Sequence, residues 1–411
     1  GAAAAKAAKA VAAAKAAAAA QKSLGLGGVL RRFKKGQKLT MITAYDFPSS
    51  RFARAAGVDL VLVGDSVGNC RLGLTDTVGV TMDDMLRATA SARRGLDSPS
   101  PDAAGPKPVL VGDMPFGSYL VLEDCLKHAA AFRIAGADMV KLEGGSVCAP
   151  LIRALTSAGI AVMGHIGLEP QSAFLQGGLR MQGTTAPAAM KLVKAAKELA
   201  EAGAVMLVLE CVPLEVGHAV QASVDIPVIG IGAGKEVAGQ VLVCDDLLGI
   251  HGSAPSFVKQ YADLSKATAA AYQAYASEVR GGAFPGEAHS RRLKAEELDK
   301  LRGLMPEQLV WPQPSPEPAK QAAAREPPAA ADRKPFRESA KWSPQPFPSK
   351  PTVVGSASAF GLIQGQFAPL PKLNHLRLIS SGSALGRGPG QVQVLRTRKE
   401  VREWRQGARR V

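Results

Sequence analysis

The chain has 411 residues, 46% hydrophobic and 21% charged, a balance that can bury a large core, and no run reaches the roughly 18 apolar residues of a membrane span. Its formal net charge of +15 hints at nucleic acid until it is divided: residues 1–45 hold nine Lys or Arg and no acid, 291–411 hold 22 against 10, and 46–290 keep 19 against 25. The body is therefore mildly acidic, which gives no case for a phosphate-binding surface on it, and no specific nucleic-acid binding is expected.

In chain order, residues 1–29 are an Ala/Lys leader. With Lys6, Lys9 and Lys15 and no acid it reads either as a helical organelle-targeting signal or as a low-complexity segment of no function. Residues 30–290 form the body of the chain. Within it, short apolar runs fall at 39–46, 60–66, 108–116, 139–145, 161–168, 205–211, 227–234 and 241–250. Amphipathic segments at 83–95, 123–135, 148–158 and 187–202 lie between them. The runs are apolar at consecutive positions, as strands covered on both faces must be. Eight strand–helix units in this length predict an α/β fold, a (β/α)8 TIM barrel. The alternative is a doubly wound open sheet, but no G-x-G-x-x-G follows the first strand. Instead, Gly230, Gly232 and Gly234 come at the seventh strand, where barrels often hold an anion. Residues 291–411 read as a Pro-rich linker and a basic, disordered tail, with 12 of the 28 prolines in 306–351.

The polar residues that close these runs point to chemistry. In a barrel the reactive groups collect at the C-terminal ends of the strands. Asp65 and Ser66 end the second run, Asp113 the third, Lys141 and Glu143 the fourth, His165 falls in the fifth, and Glu210 closes the sixth. Any one Asp there can be a helix N-cap, but a set on five consecutive strands is harder to explain so. Converging carboxylates repel unless a cation sits among them, and oxygen ligands with water suit Mg²⁺. Zinc fits these strand ends less well, since they carry one His and no Cys. Lys141 and Glu143, two apart, face the same side. Lys141 can then form a Schiff base or neutralise an anionic substrate, and His165 is a core histidine or a substrate contact. Cys70, Cys125, Cys148, Cys211 and Cys244 show no Cys-x-x-Cys pair and no zinc-like spacing, so they read as small buried hydrophobes in a reducing compartment.

Taken together, ITAYD, LVGDSVG, VTMDDM, GDMPFGSY, AGADMVKLEGG, GHIGLEPQS, GGLRMQG, LVLECVP, IPVIGIGAG and FPGEAHS resemble the ketopantoate hydroxymethyltransferase (3-methyl-2-oxobutanoate hydroxymethyltransferase) family, from about residue 30 to 290. The resemblance implies a (β/α)8 barrel that moves a one-carbon unit from 5,10-methylenetetrahydrofolate to 3-methyl-2-oxobutanoate. The reaction passes through a Mg-stabilised enolate and gives 2-dehydropantoate in pantothenate synthesis. It implies Asp65, Asp113 and Glu143 at the Mg²⁺ site, some of them through water. It implies Asp65, Ser66, Asp113, Lys141 and His165 around the ketoacid, and Glu210 as the catalytic base. It further implies a homo-oligomer, a decamer, and with the leader a mitochondrial location, otherwise a cytoplasmic one. The runner-up is a related metal-dependent 2-oxo acid aldolase or lyase. Three departures from the family pattern stand out: Glu169 where Thr is usual, Cys244-Asp245 where a His-Asp pair is common, and a longer loop at 97–107.

Overall fold

The computed structural model describes residues 23–98, 105–305 and 310–311. Most of the leader, most of the tail and the middle of the 97–107 loop lie outside the described residues. Eight parallel strands close on themselves: β1 Leu39–Thr43, β2 Leu60–Val63, β3 Val109–Asp113, β4 Met139–Glu143, β5 Val162–Gly167, β6 Met206–Glu210, β7 Val228–Ile231 and β8 Gly239–Leu242, with β8 paired back onto β1. The helices between them are α1 Gly25–Lys34, which precedes β1, then α2 Phe47–Ala56, α3 Met82–Asp97, α4 Leu122–Ile134, α5 Ala149–Ser157, α6 Ala186–Glu201 and α7 Leu214–Ala222. This is the expected (β/α)8 barrel.

Strand alternation divides the core in two. Leu39, Met41, Leu60, Leu62, Val109, Val111, Met139, Met163, Met206, Val208, Ile229 and Val241 pack together as the barrel filling. Their neighbours Val61, Val63, Leu110, Val140, Leu142, Val162, Leu207, Leu209 and Val228 pack outward under the helices. Removing each such side chain from water contributes about 1.5–3 kcal/mol. The helices start where side chains can satisfy free N–H groups: Asp46 caps α2 and Thr81 caps α3, each in a reciprocal capping box with Ser49 or Asp84. α2 and α3 pack closely because Gly95 has no side chain; a Cβ there would sit 2.1 Å from Ser50 Oγ.

The floor is sealed by α1. Val29 is fully buried against the barrel filling, with Leu24, Leu26 and Phe33 beside it. Arg32 forms an ion pair with Asp59, whose Oδ2 also accepts from Thr40 N at 2.8 Å and Thr40 Oγ1 at 2.9 Å.

Two expectations need correction. The run at 241–250 is mostly not strand: β8 ends at Leu242, and Cys244–Leu248 form a short helix, α8. Asp245 and Asp246 in its first turn favour the helix dipole, and Gly249 in the left-handed region ends it. With so short a helix, the outer wall of β8 and β1 borders an apolar cavity of about 730 Å³ lined by Ile42, Phe52, Leu242, Leu247 and Tyr261. Beyond the barrel, α9 spans Leu264–Arg280 and α10 spans Ala295–Leu304. Helix α10 therefore occupies the start of the 291–411 segment expected to be disordered. None of its residues is fully buried, and Glu297–Lys300 and Asp299–Arg302 pairs run along it.

Candidate active site

The inward-facing series of each strand runs from apolar to polar as it climbs. On β4 it reads Met139, Lys141, Glu143, on β5 Met163, His165, and on β6 Met206, Val208, Glu210. Pairing in the sheet sets Asp113 beside Lys141, Glu143 beside His165 and Gly167 beside Glu210. Asp65 and Ser66 follow directly on β2. All seven sequence-derived site residues, Asp65, Ser66, Asp113, Lys141, Glu143, His165 and Glu210, line one cavity of about 740 Å³ at the C-terminal mouth of the barrel. They occupy one side of it, from β2 to β6. The opposite side, from β7 to the segment after β8, carries no charge and is mostly apolar, with Ile231, Val241, Val243 and Phe257.

Lys141 Nζ donates to both oxygens of Asp113, at 2.8 and 2.7 Å, and both residues are buried. Burial works against the ammonium, but the carboxylates of Asp113, Asp65 and Glu143 outweigh it and raise its pKa. A lysine so held stays charged, which disfavours the Schiff-base alternative. Asp113 also accepts from the backbone N–H of Asp65 at 3.2 Å, joining β3 to the end of β2. Burial pushes the Asp113 carboxyl up to about 8, against the pull of Lys141.

His165 bridges the other two carboxylates. Its Nδ1 lies 3.2 Å from Glu143 Oε2 and its Nε2 3.5 Å from Glu210 Oε2, yet neither contact is aligned as a hydrogen bond. Burial, then Lys141, lowers the imidazole to about 3, so it is neutral. Burial raises Glu143 to about 8 and Glu210 to about 7. Glu210 is placed by a close approach: Gly167 adopts φ +100°, and a Cβ on it would lie 2.3 Å from the Glu210 carbonyl oxygen. That carbonyl then accepts from Leu168 N at 2.8 Å.

One organising residue escaped the sequence reading. Gln171 sits in a 3₁₀ turn, Pro170–Ser172, directly after β5. Its Nε2 donates to Asp65 Oδ2 at 2.9 Å and to the Met114 carbonyl at 3.1 Å, while its backbone N–H donates to Glu143 Oε1 at 2.7 Å. The Tyr119 hydroxyl donates to its amide oxygen. Gln171 thus ties Asp65 to Glu143 across 106 and 28 positions of sequence. The only signal was a buried amide inside the GHIGLEPQS motif.

The donor set fits a hard divalent cation. Glu143 Oε2 is buried with no hydrogen-bond partner, and three buried carboxylates share one ammonium. Such groups favour a cation held by oxygen ligands. Asp65, Asp113 and Glu143 do not bring one oxygen each within 4.8 Å of one another.

Residues 28–287, more than half of the chain, match the family described as ketopantoate hydroxymethyltransferase. The chain belongs to the ketopantoate hydroxymethyltransferase family. It is 47% identical over 260 residues to the 3-methyl-2-oxobutanoate hydroxymethyltransferase of Moorella thermoacetica, covering 62% of this chain and 93% of that one. The enzyme of the same name from Ignicoccus hospitalis is 44% identical over 65% of this chain and 99% of its own. That from Bacillus subtilis is 45% identical over 67% and 97%. Among solved structures, a phosphonopyruvate hydrolase is similar with a TM-score of 0.44 and 15% identity, covering 68% of this chain and 95% of that one. Against the ketopantoate hydroxymethyltransferase pattern, Glu169 lies at the edge of the site, its carboxyl raised to about 7 by burial and by Glu143. Cys244 and Asp245 lie at the start of α8.

Proposed function

We propose that the chain transfers a hydroxymethyl group from 5,10-methylenetetrahydrofolate to 3-methyl-2-oxobutanoate, giving 2-dehydropantoate for pantothenate synthesis. Family membership sets the reaction class. The observation that carries the residue roles is Glu210: a carboxylate raised to about 7 by burial, in the same cavity as the Lys141–Asp113 pair.

The Lys141 ammonium, held in place by Asp113, offers a fixed positive charge to the ketoacid carboxylate. Ser66, whose Oγ lies 2.9 Å from the Tyr45 hydroxyl, borders the same space as a polar contact for that substrate. Asp65, Asp113 and Glu143 would hold Mg²⁺, with Gln171 orienting the first and last of them. Bound there, Mg²⁺ supplies Lewis acidity to the substrate's keto and carboxylate oxygens. Glu210 accepts the C3 proton, a task suited to a carboxylate whose pKa lies near working pH. Neutral His165 stands between Glu143 and Glu210 without adding charge and borders the space where the ketoacid would lie. The C3 carbon then bonds to the folate methylene as one of its two carbon–nitrogen bonds breaks, water displaces the second nitrogen and supplies the hydroxyl, and the two freed nitrogens take up the protons lost by C3 and by water.

The test is turnover by the full chain with Mg²⁺, methylenetetrahydrofolate and 3-methyl-2-oxobutanoate. Formation of 2-dehydropantoate that depends on all three is expected; product without folate would move the chain to the aldolase or lyase class. Two further proposals rest on family resemblance and composition. We propose a homo-oligomer, a decamer, which sedimentation of the full chain checks. We also propose delivery to the mitochondrion by the acid-free leader; a diffuse cytosolic signal from residues 1–45 fused to a fluorescent reporter would overturn it.

A further inference from the structure

Among the described residues, the one group of three His, Cys, Asp or Glu side chains whose ligand atoms all lie within 4.8 Å of one another is outside the substrate cavity: Cys70, Asp245 and His251. They come from two places. Cys70 is in the middle of a π-helical turn, Gly68–Leu72, that follows β2. Asp245 belongs to α8, and His251 lies three residues after it ends. Spacings of 175 and 6 positions hid the group from any sequence motif.

Asp245 is fully buried, and its two oxygens are treated differently. Oδ1 accepts from Arg71 at 2.7 Å and from the Cys244 thiol at 3.3 Å. Oδ2 is buried with no hydrogen-bond partner. His251 Nε2 stands 3.6 Å from that bare oxygen, too far for a good hydrogen bond. It is, however, close to the roughly 3.4 Å that separates two ligands of one tetrahedral Zn²⁺ with bonds near 2.1 Å. The geometry points to a second metal site, in which Cys70 Sγ, Asp245 Oδ2 and His251 Nε2 bind one zinc-class cation and water fills the fourth position.

The ligand chemistry selects the metal. One thiolate, one imidazole and one carboxylate suit Zn²⁺ or Co²⁺ and not Mg²⁺, which prefers an all-oxygen octahedron. Binding releases the Cys70 thiol proton to solvent. Arg71 stays on Oδ1, so it orients the carboxylate without competing for Oδ2. The site would staple the β2 turn to the segment after β8. That turn follows Asp65 and Ser66 and contains Asn69, all of which line the substrate cavity, so the staple fixes one rim of the active site without touching substrate.

The test uses the full chain, stripped with chelator and kept in excess Mg²⁺ so that oxygen-only sites are filled. Stoichiometric Co²⁺ should produce one equivalent of thiolate-to-cobalt charge-transfer absorption in the near ultraviolet. Cys70→Ser should abolish that absorption, and His251→Ala, at an exposed side chain, should weaken Co²⁺ binding at least tenfold. Co²⁺ should also raise the melting temperature of the parent chain and not that of Cys70→Ser. Absence of the band, its survival in Cys70→Ser, or unchanged affinity in His251→Ala would each overturn the site.

Discussion

The two ends of the barrel carry carboxylates of opposite character. On the floor, Asp59 is matched on every side by Arg32 and by the backbone and hydroxyl of Thr40. At the mouth, Asp113, Glu143 and Glu210 are pushed up to between about 7 and about 8, and Glu143 Oε2 and both nitrogens of His165 have no hydrogen-bond partner. A satisfied buried charge holds a fold together, whereas an unsatisfied one is held by the fold for a ligand. The same residue type thus serves stability at one end of a strand and chemistry at the other.

The sharpest way to break that contrast is Glu210→Gln. It should still bind ketoacid but exchange its C3 proton with deuterated water roughly 10²–10⁴-fold more slowly, as measured by NMR. In the parent chain, kcat/KM should fall as pH drops below about 7, the value to which burial raises Glu210. Exchange at the parent rate in Glu210→Gln would place the base elsewhere. A smaller effect is expected for Gln171→Leu. Removing the amide that ties Asp65 to the Met114 carbonyl should raise the Mg²⁺ requirement and lower turnover by about 10–100-fold. Its melting temperature should fall modestly, since the Tyr119 hydroxyl and the Met114 carbonyl lose a buried partner. An unchanged Mg²⁺ dependence would leave Gln171 with packing alone.

On the floor the signs reverse. Asp59→Asn should cost about 1–3 kcal/mol of stability, read by denaturant unfolding, and leave kcat unchanged, because the NH2 replaces one of the two acceptor oxygens and Arg32 loses its counter-charge. A fall in kcat without a fall in stability would erase the distinction between the two ends. The smallest effect is a pH signature. Glu143 has a folded pKa of about 8, raised above its ordinary value of 4.5, so the native state holds a proton there that the unfolded chain releases. The stability this lends is full below about pH 4.5 and is lost as pH rises through about 8. In metal-free protein, Glu143→Gln should therefore melt with the parent near pH 4.5 and above it at pH 8.5, by about 2–4 °C for each kcal/mol relieved, while losing turnover. Equal melting temperatures at pH 8.5 would show that Glu143 is not strained.

How much of this was legible beforehand follows the range of the interactions. The strands and their polar ends were readable because burial on both faces leaves a local mark, a continuous apolar run that stops at Asp, Lys, His or Glu. Lys141 and Glu143 shared a face by strand alternation alone. Local pattern misjudged VLVCDDLLGI, since an apolar run broken by two Asp suits a short helix as well as a strand. Gln171 was invisible because its function lies in a contact to Asp65 made 106 positions away. The choice between Schiff base and charge partner for Lys141 likewise needed the observed contacts of its Nζ with both oxygens of Asp113.

The uneven lining of the mouth has a further consequence. Strands β2 to β6 bring every charged group, while β7, β8 and the chain beyond them bring Ile231, Val241, Val243 and Phe257. A pair of ligands, one small and anionic, the other broad and aromatic, would be sorted to opposite banks by polarity before either met a specific partner. The reacting carbons would then face each other across the midline. Turning either ligand round would set an anion against Phe257 or an apolar ring against Lys141. The order of strands around the barrel thereby writes a direction of approach into the site, and a mutation that moved one charge across that midline would blur which way the chemistry points.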